Sequence, residues 1–257
     1  MKGLQKVISS KLDNTICTNF LQSRELRDAQ RILSAAAKFG GTWKTVLPSS
    51  PDLTLSDEDY RNAAKIGLGL PCQNDLPDKC ECGEELIKDP AHFLSCRRLK
   101  RPAMSTRHDW IVNLLAKIFR ELGAVVHVEP RIFDYERVRP DLDILFPHCQ
   151  ILIDVTVAHP NSPSRKSLVQ LASATAAEAR KTRHYAANAK LGNGDLRAFA
   201  VETFGGFGHQ ATEIIKLIQS QSQSNAENQI RSIAIALQKG NAHVMKQGAI
   251  ASRVAAL

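Results

Sequence analysis

One short run limits the fold more than any other. Residues 151–157 read Ile-Leu-Ile-Asp-Val-Thr-Val. Apolar residues fall on both faces of this stretch, and β-branched side chains are frequent in it. It is therefore expected to be a central strand covered from two sides. A strand of that kind needs helices packed on its faces, which implies an α/β architecture. The acid at its middle, Asp154, is costly to bury without a partner.

A second acidic run lies just upstream. Residues 139–146 read Arg-Pro-Asp-Leu-Asp-Ile-Leu-Phe. The two runs are expected to form a β-hairpin around Pro147, His148, Cys149 and Gln150. A four-residue turn would pair Phe146 with Ile151 and set Asp141 across from Thr156. Asp141 and Asp154 then become diagonal neighbours on one face, with Cβ atoms about 7–8 Å apart. In that register Asp143 faces Asp154 directly. A cation that needs oxygen ligands would relieve the cost of the buried acid, and Mg²⁺ is the natural choice for phosphodiester chemistry. The alternative is a solvent-facing acid on an edge strand, which the apolar flanks of Asp154 disfavour.

Around this hairpin the chain reads as an alternation of helices and strands. Apolar residues recur at helical spacing over 23–38, and the Val-Leu-Pro-Ser-Ser-Pro segment at 46–51 interrupts them. Ser56 is a candidate N-cap, followed by Asp57, Glu58 and Asp59 in a first turn. That helix is expected to stop at Gly69. From residue 106 the order reads helix (106–122), strands (125–128, 141–146, 151–157), helix (166–191), strand (196–203) and closing helices (209–220, 226–238). The divisions expected are a helical region (1–71), a metal-binding loop (72–100), an α-β-β-β-α-β core (101–220) with a mixed central sheet, and a helical tail (221–257).

The loop at 72–100 holds Cys80, Cys82, His92 and Cys96, spaced C-x-C-x9-H-x3-C. Zinc takes four soft or borderline ligands in a tetrahedron, and this set fills all four positions with a structural site. His92 and Cys96, four apart, would share a face if one helical turn began at Asp89-Pro90. Cys72 is a spare thiol. The opening residues lack the apolar core of a secretory signal, so a reducing compartment is expected, where such a cluster reads as metal binding before disulfides. No run approaches the roughly 20 apolar residues of a membrane span. Net charge is +8, which favours an anionic partner such as nucleic acid.

Two helices carry further candidates. Lys181 and Tyr185, four apart, share a face, with Glu178 one turn earlier. The lysine would orient a water or stabilise a phosphorane, and the tyrosine would bond a phosphate. Arg107, His108 and Asp109 open the first core helix in this reading, with His108 within reach of a substrate phosphate. The competing reading of Lys181 is a solvated basic helix shared with Arg180, Arg183 and His184.

Taken in order, the Cys-Cys-His-Cys set, Arg107-His108-Asp109, Arg139-Pro140-Asp141, the acid of Asp154-Val-Thr-Val, Lys181-x-x-x-Tyr185 and Glu202-Thr-Phe-Gly-Gly resemble the restriction-like endonuclease of non-LTR retrotransposons over about residues 45–240. That family is similar to the PD-(D/E)XK nucleases. The resemblance implies a restriction-endonuclease-like core, a Mg²⁺- or Mn²⁺-dependent DNA endonuclease, and a structural Zn²⁺. Asp141 and Asp154 would be the metal-holding and catalytic acids, with Lys181 and Tyr185 assisting. Arg107, His108 and Arg139 would contact nucleic acid. DNA is the implied partner, with RNA of the parent element as a further one, and the nucleus the implied location. The superfamily lysine two residues after the second acid is here Thr156; the resemblance assigns its role to Lys181. With no polymerase motif, the chain is expected to be an excised domain, a truncated element or a host gene derived from one. The alternative function is a catalytically inert nucleic-acid-binding module; a structural zinc protein that binds another protein has only the tail helix in its favour.

Overall fold

The computed structural model describes residues 2–73, 76–99, 101–130, 139–161, 167–186, 195–222 and 224–255. Seven α-helices are described: α1 (Lys2–Gln22), α2 (Leu26–Ala35), α3 (Asp57–Leu68), α4 (Arg101–Glu121), α5 (Ala172–Ala186), α6 (His209–Gln221) and α7 (Ala226–Ala255). Four strands, β1 (Val125–Val128), β2 (Leu142–Phe146), β3 (Cys149–Ala158) and β4 (Asp195–Glu202), form one mixed sheet in the order β1-β2-β3-β4. The first two pairings are antiparallel and β3 pairs with β4 in parallel, with α5 in the connection. The protein is thus α/β, with a four-stranded sheet flanked by helices. No described helix is long and apolar enough to cross a membrane.

The two faces of the sheet are built differently. On one face Leu142, Ile144, Ile153, Val155, Phe199 and Val201 meet Ile111, Leu115, Ile118 and Phe119 of α4, together with residues of α6 and α7. This is the main core, and its side chains are large and aliphatic or aromatic. On the other face the neighbours are small: Ala174 and Ala177 of α5 pack on Ala200. Small residues at a helix–sheet contact bring the backbones close, so side chains one turn further along α5 reach the sheet. Asp154 shares that face, opposite Ala198 in the parallel register.

The hairpin corrects the expected register. Phe146 pairs with Cys149, so the turn is Pro147-His148 alone and Cys149 and Gln150 belong to β3. Leu142 pairs with Ile153 and Asp143 with Leu152, so Asp143 does not face Asp154. Continued by one residue, the same register sets Asp141 opposite Asp154. The slip is two residues, which preserves the face of every side chain. The acids still share a face and are now directly opposed rather than diagonal.

Other boundaries also move. Ser56 caps α3, its hydroxyl accepting from the Asp59 amide, and Gly69 closes the helix in the left-handed conformation at φ 73°. α4 begins at Arg101, so Arg107, His108 and Asp109 are interior to the helix rather than its first turn. α7 continues to Ala255, far past the expected stop near residue 238. The expected ends of the fifth helix, at 166 and 187–191, and the Gly192-Asn-Gly194 turn lie outside the described residues. On α1, Ile8, Leu12, Ile16 and Phe20 are more than two-fifths exposed.

Candidate metal and acidic sites

The four metal-ligand candidates converge. The ligand atoms of Cys80, Cys82, His92 and Cys96 all lie within 4.8 Å of one another. Cys80 Sγ and Cys96 Sγ are 3.7 Å apart, and Cys82 Sγ is 3.0 Å from His92 Nε2. A tetrahedral zinc with bonds of about 2.3 Å would set sulfur atoms about 3.8 Å apart, so the sulfur pair fits a shared ion. The cluster can hold a metal such as zinc. Burial pushes the Cys96 thiol up to about 12 and holds the His92 imidazole below its ordinary value. A bare thiolate is therefore disfavoured there, whereas a dication would stabilise it.

The local path is not the expected helical turn. His92 starts a 3-10 turn, His92–Leu94, and Cys96 follows it in irregular chain. The cysteine pair comes from a tight turn in which the Gly83 amide donates to the Cys80 carbonyl. Phe93 and Leu94 anchor the loop in a second core with Val244, Met245 and Ala249 of α7. Cys72 is buried in the same core with its thiol 3.8 Å from the Asn62 carbonyl, outside the four-residue cluster.

At the other site, Asp141 and Asp154 stand close enough for the charge of each to act on the other. Asp141 Oδ2 also accepts the Val155 amide at 2.6 Å and lies 3.0 Å from His108 Nε2. Lys181 Nζ reaches Asp154 Oδ2 at 2.6 Å. Thus α4, the residue just before β2, the middle of β3 and α5 each contribute one ionisable group to a single spot.

The two acids are electrostatically unlike. Burial raises Asp154, the neighbouring Asp141 charge raises it further, and Lys181 offsets only part, leaving it at about 6. Burial also acts to raise Asp141, but hydrogen bonding and charge from His108 overcome this and hold it below the usual carboxylate range. Burial acts to lower His108, yet Asp141 and Asp109 together lift it to about 9. Two neighbouring carboxylates with one forced upward form a spot of incompletely balanced negative charge.

The remaining sequence candidates are placed as follows. Tyr185 is buried and its hydroxyl donates to the Arg139 carbonyl at 2.6 Å. It ties down the chain entering β2, and burial pushes that phenol upward. Arg139 itself is half-exposed, 3.8 Å from Glu129. Arg107 is corrected: it is 3% exposed, donating to Asn241 Oδ1 at 3.1 Å and lying against Met104. Its guanidinium supports the α4–α7 contact and has no surface to offer nucleic acid. Asp143 accepts from Gln150 at 2.8 Å and lies 3.3 Å from His127.

Two buried carboxylates to which sequence reasoning gave no role of their own hold helices in place. Glu202 accepts from the amides of Ser173 and Ala174 at the start of α5. Glu178 accepts from those of Gln210 and Ala211 at the start of α6. Carboxylates belong at helix N-termini, where unpaired amides and the helix dipole favour negative charge. The only sequence signal was an acid at a strand end and another in an alanine-rich helix. Compared with known families and curated proteins, the chain matches no family model and no curated sequence.

Proposed function

We propose that this chain is a divalent-metal-dependent DNA endonuclease of retrotransposon origin, acting in the nucleus, with a restriction-endonuclease-like core and a structural zinc at Cys80, Cys82, His92 and Cys96. The observation that carries the reading is the convergence of Asp141, Asp154 and Lys181 on one spot of the sheet. Asp141 and Asp154 would hold Mg²⁺ or Mn²⁺. When bound, such an ion polarises a scissile phosphate and lowers the pKa of a water. Lys181 supplies the positive charge on the α5 side, where a phosphate oxygen or the attacking water would meet it. Tyr185 holds Asp141 in register through the Arg139 carbonyl. The products would be 3′-hydroxyl and 5′-phosphate ends. A net charge of +8, with exposed Arg180, Arg183 and His184 on the outer side of α5, suits a polyanionic substrate.

The test is nicking of supercoiled plasmid with Mg²⁺ or Mn²⁺, beside DNA binding by the same preparation. Asp154→Asn is expected to abolish nicking and leave binding unchanged; EDTA should stop the unaltered protein. Absence of cutting on supercoiled, linear and branched DNA under both metals would end the enzyme reading.

One observation favours a second reading, an inert nucleic-acid-binding module. Asp154 is paired with Lys181 and Asp141 with His108, so both acids have cationic partners within the protein. That reading predicts salt-dependent DNA affinity, indifferent to metal, with no cleavage.

A further inference from the structure

His108 makes two contacts that a pair of acidic metal ligands does not by itself require. Nδ1 lies 3.1 Å from Asp109 Oδ1, and Nε2 lies 3.0 Å from Asp141 Oδ2. Its side chain is 32% exposed, so the ring borders solvent where an ion and a substrate would arrive. Histidines that ligate metals commonly give their other ring N–H to a carboxylate, which fixes the tautomer and aims the free lone pair. Asp109 stands in that position, and the nitrogen it leaves over lies 3.0 Å from Asp141 Oδ2.

We propose that His108 is a third protein ligand, through Nε2, of the divalent cation held by Asp141 and Asp154, and that Asp109 is its positioning residue. The inference rests on reading the two aspartates as a cation site. It adds a chemical preference: two carboxylates and an imidazole suit Mn²⁺ better than Mg²⁺, which binds almost wholly through oxygen and water. A plain ion pair among His108, Asp109 and Asp141 would also give the observed distances, but it leaves no nitrogen on the metal.

Pulsed EPR of Mn²⁺ bound to the full, zinc-loaded chain separates the two. Imidazole ¹⁴N coupling is expected in the unaltered protein and lost in His108→Gln, with the Mn²⁺ Kd raised at least about tenfold. Asp109→Asn should keep the coupling and weaken Mn²⁺ by roughly tenfold. Coupling that survives His108→Gln assigns the nitrogen to another histidine, such as His127, and overturns the proposal. Mn²⁺ that requires Asp154 yet shows no nitrogen overturns His108 alone. Mn²⁺ binding indifferent to Asp154→Asn removes the two-aspartate site and His108 with it. Should His108→Gln fail to fold, ¹⁵N-histidine labelling of the unaltered chain must convert the ¹⁴N pattern to ¹⁵N; an unconverted pattern is equally fatal.

Discussion

At His159 the chain buries an imidazole, 2.7 Å from Thr203 Oγ1 and against the Phe204 ring. Burial, and then the nearby Arg107 cation, pull its pKa from 6.5 down to about 3. The unfolded chain therefore binds a proton that the folded chain refuses between those values. The neutral ring's contribution to stability is complete above pH 6.5 and is lost as pH falls toward 3. The expected slope is on the order of 1.4 kcal/mol per pH unit in that window. His159→Gln should flatten it in urea titrations at pH 4, 5 and 6; an unchanged slope would count against this residue as the source. His108 has the opposite sign. Its raised pKa gives stability that is full below 6.5 and disappears as pH climbs through about 9.

The element that determines the acidic site is α5, and its foundation is Glu202. Replacing Glu202 by Ala removes the acceptor for two amides of the first turn. A loss of about 1–3 kcal/mol is expected in urea unfolding, with Gln recovering part of it. Because Lys181 rides on the same helix, Glu202→Ala should also impair any activity that depends on Lys181, which plasmid nicking would register. Much of this architecture was legible in sequence. β1 is placed to the residue, and β2 to β4 within two residues, because alternation and apolar runs are direct consequences of the pleat. The hairpin turn was misplaced because Pro147-His148 carries no glycine or asparagine to mark a two-residue connection. The end of α7 was misread for another reason. The helix runs on through Gly240, where a Cβ would sit 2.4 Å from Arg107 Cγ. That glycine answers to a side chain 133 positions earlier in the chain, a distance no local pattern reports. The acidic pair was legible as a shared face; His108 and Asp109 as its neighbours were not, since only the packing of α4 on the sheet brings them there.

For the molecule as a whole, the cysteine loop and the sheet core are joined by α7. Its first half contributes Ile230, Ile233 and Leu237 to the main core, and its second half contributes Val244, Met245 and Ala249 to the core beneath the cysteines. Removal of metal by a chelator should therefore raise hydrogen exchange in residues 79–98 and in the distal half of α7, while β2, β3 and β4 stay protected. Uniform protection would show that the loop does not depend on an ion. Thiol chemistry gives a second reading of the same change. Cys17 and Cys149 are exposed and should alkylate at once, whereas Cys72, buried with its pKa near 11, should wait for unfolding. Cys82 is exposed as well, and its alkylation should accelerate on chelation if it ligates metal. The double service of α7 also bears on how such a protein can change over generations. A helix with one end in each core cannot be inherited with only one of them. A crossover that imports a new cysteine loop must bring a matching distal α7, including the glycine at 248 that leaves room for Phe93. The exchangeable unit is then not the loop encoded by contiguous residues but two separated stretches of sequence, and recombination at the apparent loop boundaries should yield chains that fold poorly.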